Sequence, residues 1–272
     1  MKPQQFSALL AGLLVLTACT VPVPPPPPGA PAPAAQETAA QETAAPAVPV
    51  GATTPAAPLS ETGLGDKYYP LEGNPGYDAQ HYTIELAADV ATNTITGTTT
   101  MAARATNELN RFNLDLLGLD VAAVAVDGAA AAFSRDGQEL TVTPASPIAA
   151  GTPFSVSVTY GGVPEPYPDP ALSLFGATIG WQKWGDGVLA AAGQPDGSMN
   201  WFPSNNHPSD KATYTFRLTV DDPYVALANG VLQEVIPVEG DKKTYVWEMA
   251  QPMATMVALA AVGEFERHES VA

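Results

Sequence analysis

From Tyr77 onward, apolar and polar residues alternate with a period of two, and this alternation leaves little choice of fold. His81-Tyr82-Thr83-Ile84-Glu85-Leu86 alternates, as do Phe112-Asn113-Leu114-Asp115-Leu116 and Phe154-Ser155-Val156-Ser157-Val158-Thr159-Tyr160. Ala212-Thr213-Tyr214-Thr215-Phe216-Arg217-Leu218-Thr219-Val220 is the clearest run. Successive side chains of a strand point to opposite faces, so such runs bury one face of a sheet and wet the other. Residues 94–106, Val124-Ala125-Val126, Leu140-Thr141-Val142, residues 245–249 and residues 256–265 supply further strands.

Turn signals punctuate these runs: Asp127-Gly128, Asp136-Gly137, Gly161-Gly162, Asn229-Gly230 and Glu239-Gly240. Short strands at this spacing predict antiparallel sheets and an all-β domain. Residues 121–132 are rich in Ala, but Asp127-Gly128 interrupts them and makes them a hairpin rather than a helix. Residues 163–209 are too long for a plain connection and carry Trp181, Trp184, Trp201 and Phe202. Two readings stand side by side: an aromatic mini-core beneath a loop, or a ligand-facing surface. On the second, the rim formed by residues 194–207 faces a partner and leaves Trp201 and Phe202 partly uncovered, with Asp196 at the surface.

The N-terminus belongs to a different class of segment. Lys2 precedes a short apolar run over residues 6–16, followed by Leu16-Thr17-Ala18-Cys19. A bilayer span needs roughly 20 apolar residues, so this run is a secretory signal rather than an anchor. Its ending resembles the bacterial lipobox, which makes residues 1–18 the signal peptide and Cys19 the lipidated residue. The expected location is outside the cytoplasm, lipid-anchored to the cell membrane or outer membrane. Cys19 is the only cysteine, so no disulfide framework exists. Residues 19–59 are dominated by Pro and Ala, with five prolines at 24–28. They have too few large apolar groups to fold and read as a disordered tether reaching on the order of 100 Å. The folded domain is expected over residues 60–272, about 210 residues, enough for a real core.

The chain carries 11 Lys and Arg against 28 Asp and Glu, a formal charge of −17. Nucleic-acid phosphates want the opposite sign, so nucleic acid is excluded as a partner. Catalytic motifs are absent. There is no Gly-x-Ser-x-Gly elbow, and His207, Ser209 and Asp210 are too close in sequence for a triad. Three histidines, at 81, 207 and 268, make no zinc set.

Several segments in order resemble the N-terminal domain of the M1 zinc aminopeptidases, across nearly all of residues 75–267. They include Tyr77-Asp78-Ala79-Gln80-His81-Tyr82, Phe112-Asn113-Leu114-Asp115-Leu116 and Val262-Gly263-Glu264-Phe265. The most specific is Trp201-Phe202-Pro203-Ser204-Asn205-Asn206-His207-Pro208-Ser209-Asp210-Lys211-Ala212-Thr213-Tyr214. The resemblance implies a saddle-shaped antiparallel β-sandwich packed against a separate thermolysin-like catalytic domain. That family's zinc sits in a His-Glu-x-x-His helix with a Gly-x-Met-x-Asn loop nearby, and neither motif occurs here. At His268-Glu269 the second histidine would fall on Ala272, so this pair is a decoy.

One piece of the family's site belongs to this domain. By resemblance, Gln194 and Asp196 hold the free α-amino end of a peptide substrate. Family members usually carry Glu at the place of Asp196, and often Cys and Asp at the places of Ser204 and Asn206. The chain is thus expected to be a non-catalytic, substrate-anchoring domain, truncated or split from its catalytic partner, with no cofactor of its own. The alternatives are a free-standing surface β module that binds peptide or protein, and a spacer without ligand. Continuation of the reading frame past Ala272 into His-Glu-x-x-His would decide between them.

Overall fold

The computed structural model describes residues 63–169 and 176–266. The signal peptide, Cys19, the tether, the start of the domain at residue 60 and the His268-Glu269 pair lie outside the described residues.

Sixteen strands and two short 3-10 turns make up the regular structure of the described residues. In chain order the strands are β1 (Tyr77–Asp89), β2 (Thr94–Ala105), β3 (Phe112–Asp115), β4 (Asp120–Val126), β5 (Ala129–Ala130), β6 (Ala132–Asp136), β7 (Glu139–Thr143) and β8 (Pro153–Gly162). Then follow β9 (Tyr167–Pro168), β10 (Thr178–Trp184), β11 (Val188–Ala192), β12 (Lys211–Asp221), β13 (Val225–Ala228), β14 (Val231–Val238), β15 (Lys242–Ala254) and β16 (Ala260–Gly263). The largest sheet has eight strands in the order β14-β15-β12-β1-β2-β8-β4-β5. A five-stranded sheet runs β13-β16-β11-β10-β9, and a three-stranded one β3-β7-β6.

The alternation of the sequence is realised in the burial. On β12, Ala212, Tyr214, Phe216, Leu218 and Val220 are buried while the intervening residues are not. Tyr82, Ile84 and Leu86 do the same on β1. Each large side chain withdrawn from water in this way contributes about 1.5–3 kcal/mol. Side chains from all three sheets belong to one core, Leu114 and Val142 from the small sheet and Leu189 and Val262 from the middle one among them.

Two local expectations hold in detail. Asp127 (φ 48) and Gly128 (φ 78) close the β4–β5 hairpin with the positive φ at both positions that a type I′ turn demands. The all-β reading holds too, although one pair departs from the antiparallel pattern: β1 and β12 run parallel from His81↔Thr213 to Ala87↔Thr219. Parallel neighbours need a long crossover, and here β2 to β11 are laid down between them.

Other turn signals shift. The β6–β7 loop is Gly137-Gln138, one residue later than the Asp-Gly pair, with Gly137 at φ 59. Gly161 and Gly162 end strand β8 instead of turning, because a Cβ on Gly161 would meet Thr96 Cγ2 at 2.9 Å across the pair. Asn229-Gly230 carries the chain from the five-stranded sheet into the eight-stranded one. A Cβ on Gly230 would lie 2.0 Å from the Glu248 carbonyl oxygen, so only glycine passes there.

Candidate functional site

Gln194 and Asp196 lie in the loop between β11 and the 3-10 turn Gly197–Asn200. The loop does not treat them alike. Gln194 is exposed, whereas Asp196 is only 7% exposed. Gly193 lets the loop close on Met256: a Cβ there would come within 2.6 Å of the Met256 carbonyl oxygen. Asp196 is therefore not a surface residue. Its Oδ1 is buried without a hydrogen-bond partner. Burial, reinforced by the nearby Asp169 carboxylate, raises its pKa to about 6.

Asp196 lines a cavity of about 100 Å³ together with Tyr69, Glu72, Pro195, His207 and Met256. Gln194, exposed two positions earlier in the same loop, does not line this cavity. Tyr167 stands behind the acid, its hydroxyl donating to the Asp196 backbone carbonyl at 3.1 Å.

Asn206 ties this loop to the rest of the domain. Its amide nitrogen donates to the Asp196 carbonyl and to Glu72 Oε2, each at 2.7 Å. Thr255 Oγ1 donates to its amide oxygen at 2.9 Å, and its backbone N–H donates to Asp115 Oδ2 at 2.8 Å. Asp115, at the end of β3, is fully buried and pairs its backbone with Ser204. Gln138, displaced into the β6–β7 turn, reaches Glu72 Oε1 at 3.3 Å and Asp115 Oδ1 at 3.4 Å. Burial raises Asp115 to about 7, against the pull of the Asn206 backbone N–H. Burial, then the Asp115 and Asp196 charges, raise Glu72 to about 9.

Sequence reasoning missed Glu72 and Asp115. Glu72 left no trace. Asp115 left none either: in the sequence it occupies an ordinary polar position between Leu114 and Leu116, and only the fold buries all three. The expectation that Trp201 and Phe202 are partly uncovered is also overturned. Both are fully buried, with Trp201 4.5 Å from Phe202 and 6.5 Å from Phe216 by ring centroids. Trp181, Trp201 and Phe202 are core, whereas Trp184 is 58% exposed.

Two histidines are described, and no group of three or more His, Cys, Asp or Glu that could hold a metal ion occurs among the described residues. His81 engages Thr213 and Thr215 on the outer face of the sheet, and His207 engages Ser209 at the rim of the cavity. The Asp210 carboxylate accepts from the Ala79 N–H and from the Asn205 side-chain amide.

The family model for the peptidase M1 N-terminal domain matches residues 78–257. The chain belongs to the M1 peptidase family. An M1 zinc metallopeptidase from Deinococcus radiodurans is 29% identical, with a TM-score of 0.68 over 74% of this chain and 45% of that one. A mutant of that metallopeptidase bound to a Tyr-Ser-Ala substrate gives 30% identity and a TM-score of 0.69, covering 46% of its chain. Aminopeptidase A of Gloydius brevicauda and glutamyl aminopeptidase of Bitis rhinoceros are each 26% identical over 84 residues. The present M1 chain spans less than half the length of the solved metallopeptidases, and the matches cover 9% of these two curated relatives.

Proposed function

We propose that this domain is the non-catalytic, substrate-anchoring part of an M1 zinc aminopeptidase, held at a membrane through a lipid on Cys19. Asp196 receives the free α-ammonium group of a peptide, and a catalytic domain that supplies the zinc carries out hydrolysis. The observation that carries the reading is the buried, unpartnered Oδ1 of Asp196 at the wall of a cavity in an M1 N-terminal domain. An unpaired buried carboxylate oxygen is costly, and a charge-assisted hydrogen bond from an ammonium donor removes that cost. A solved relative bound to a tripeptide substrate supports a peptide ligand.

The residues of this chain bind and orient. Pro195 and Met256 give the cavity apolar walls that weaken competition from water, and Asn206 fixes the loop that presents Asp196. None of the described residues is placed to hold the metal, so no chemical step is assigned to them.

The test compares Tyr-Ser-Ala with its N-acetylated form on the purified chain by NMR titration. The free peptide shifts resonances around Asp196 and Met256, and the acetylated one binds at least about tenfold more weakly, as loss of one charge-assisted contact implies. Asp196→Asn erases the difference. Equal binding of the two peptides would remove the anchoring role.

A further inference from the structure

The cavity beside Asp196 has a second acid, and it comes from outside the family-matched residues 78–257. Glu72 belongs to the segment before β1. Backbone bonds from Leu64 N–H to the Glu72 carbonyl (3.1 Å) and from Glu72 N–H to the Tyr69 carbonyl (3.0 Å) fold that segment on itself. Gly73, at φ 67, seats it against residues 205–207. A Cβ there would lie 2.5 Å from His207 Cβ, and the adjacent Asn74 N–H donates to Asn205 Oδ1 at 2.5 Å. Glu72 is delivered to the cavity wall only 5% exposed.

Its two oxygens accept from neutral amides, Asn206 and Gln138, and no Lys or Arg lines the cavity. Two carboxyl groups thus wall one small space in which Asp196 Oδ1 has no partner. About 100 Å³ is the room of roughly three waters. That admits an ammonium head and its carbon.

We propose that Glu72 and Asp196 form a two-acid seat for one primary ammonium group, with Glu72 as a specificity-determining residue. The inference rests on the anchoring reading of Asp196 and goes further in two ways. It assigns the ligand two carboxyl partners, and it predicts coupling to a proton. Burial, Asp115 and Asp196 keep Glu72 protonated near neutral pH when no cation is beside it. Tyr69, Asp169 and Tyr167 also face this group of acids, and Asp66 and His207 stand at the rim. An ammonium ion between the acids reverses the preference. The Glu72 carboxylic acid releases its proton to solvent, and the resulting carboxylate accepts from the ammonium. One positive charge enters and one leaves.

The experiment is isothermal titration calorimetry of the purified chain with alaninamide at pH 7, in buffers of different ionisation enthalpy, with N-acetylalaninamide as control. The expected result is binding of alaninamide alone with release of close to one proton. Glu72→Gln should weaken binding at least about tenfold and abolish the release. Glu72→Asp should weaken binding less and keep the release, which a merely structural role would not produce. It also serves if the Gln variant loses its sheet circular dichroism. Weakening by Asp196→Asn but not by the Glu72 variants would overturn this inference and leave the single-acid anchor standing. Insensitivity to both, or no binding of alaninamide, would overturn both. Tight binding without proton release would remove Glu72 from the seat.

Discussion

The side-chain amide nitrogen of Asn206 lies 2.7 Å from the backbone carbonyl oxygen of Asp196 and donates to it. The same nitrogen serves Glu72, so a single side chain sets the spacing of the two acids that wall the cavity. Asn206→Ala would leave the Thr255 hydroxyl without its partner and take one of two donors from both the Glu72 carboxyl and the Asp196 carbonyl, which keep Gln138 and Tyr167. A loss of about 3 kcal/mol in stability is expected from urea unfolding, since each buried unsatisfied group costs about 1–3 kcal/mol. A loss within about 0.5 kcal/mol, as for a surface position, would show that the clamp is dispensable.

Asp196→Asn should raise the urea midpoint, and raise it more at pH 8 than at pH 5. Because the folded-state pKa is raised to about 6, ionisation above that value works against the folded state. The amide is neutral at both pH values and escapes this penalty. A lower midpoint at pH 8 would show that the ionised carboxylate is a structural partner in the turn.

Stability of the whole domain should fall as pH rises from 5 to 9. Asp115 is raised to about 7 and Glu72 to about 9, so the folded state binds their protons more tightly than the unfolded chain does. The stabilisation is fully present below the ordinary carboxylate range and disappears as pH climbs through these folded-state values. Each retained proton is worth about 1.4 kcal/mol per pH unit of separation. Thermal midpoints at pH 5, 7 and 9 check the direction, and a midpoint rising over that interval would contradict it.

Trp201→Ala should cost about 4 kcal/mol, in the range for a large aromatic removed from a core. Trp201 is fully buried between Trp181, Phe202 and Phe216, with centroids 4.5 to 6.5 Å away. Chemical denaturation followed by far-ultraviolet circular dichroism reads the change. A near-neutral result would restore the exposed-rim placement that the fold contradicts.

Cys19→Ser should move the chain from the membrane fraction to the soluble one while leaving the sheet spectrum of the domain intact. The motivation is the lipobox-like Leu16-Thr17-Ala18-Cys19. Detergent-phase partitioning that ignores the substitution would remove the anchor.

What the sequence determined by itself was local. Alternation on β1 and β12 selected strands and chose which face of each to bury, because side chains in an extended chain point alternately to the two sides. Asp127-Gly128 set its own hairpin, because positive φ at both positions is a property of those two residues. The long block from Trp201 to Tyr214 carried the family. Tertiary structure decided the rest. Gly161 read as part of a turn until the approach of β2 gave it a different reason to be glycine. Trp201 and Phe202 looked like a rim because their loop is irregular, yet Trp201 stacks on Phe216, Phe202 packs edge-on against Tyr82, and both are buried. The candidate site shows this most clearly. Glu72, Asp115, Asp196 and Asn206 come from a leading loop, a strand end and two separate turns. They meet only because three sheets share one core, and no spacing along the chain encodes a meeting between segments so far apart.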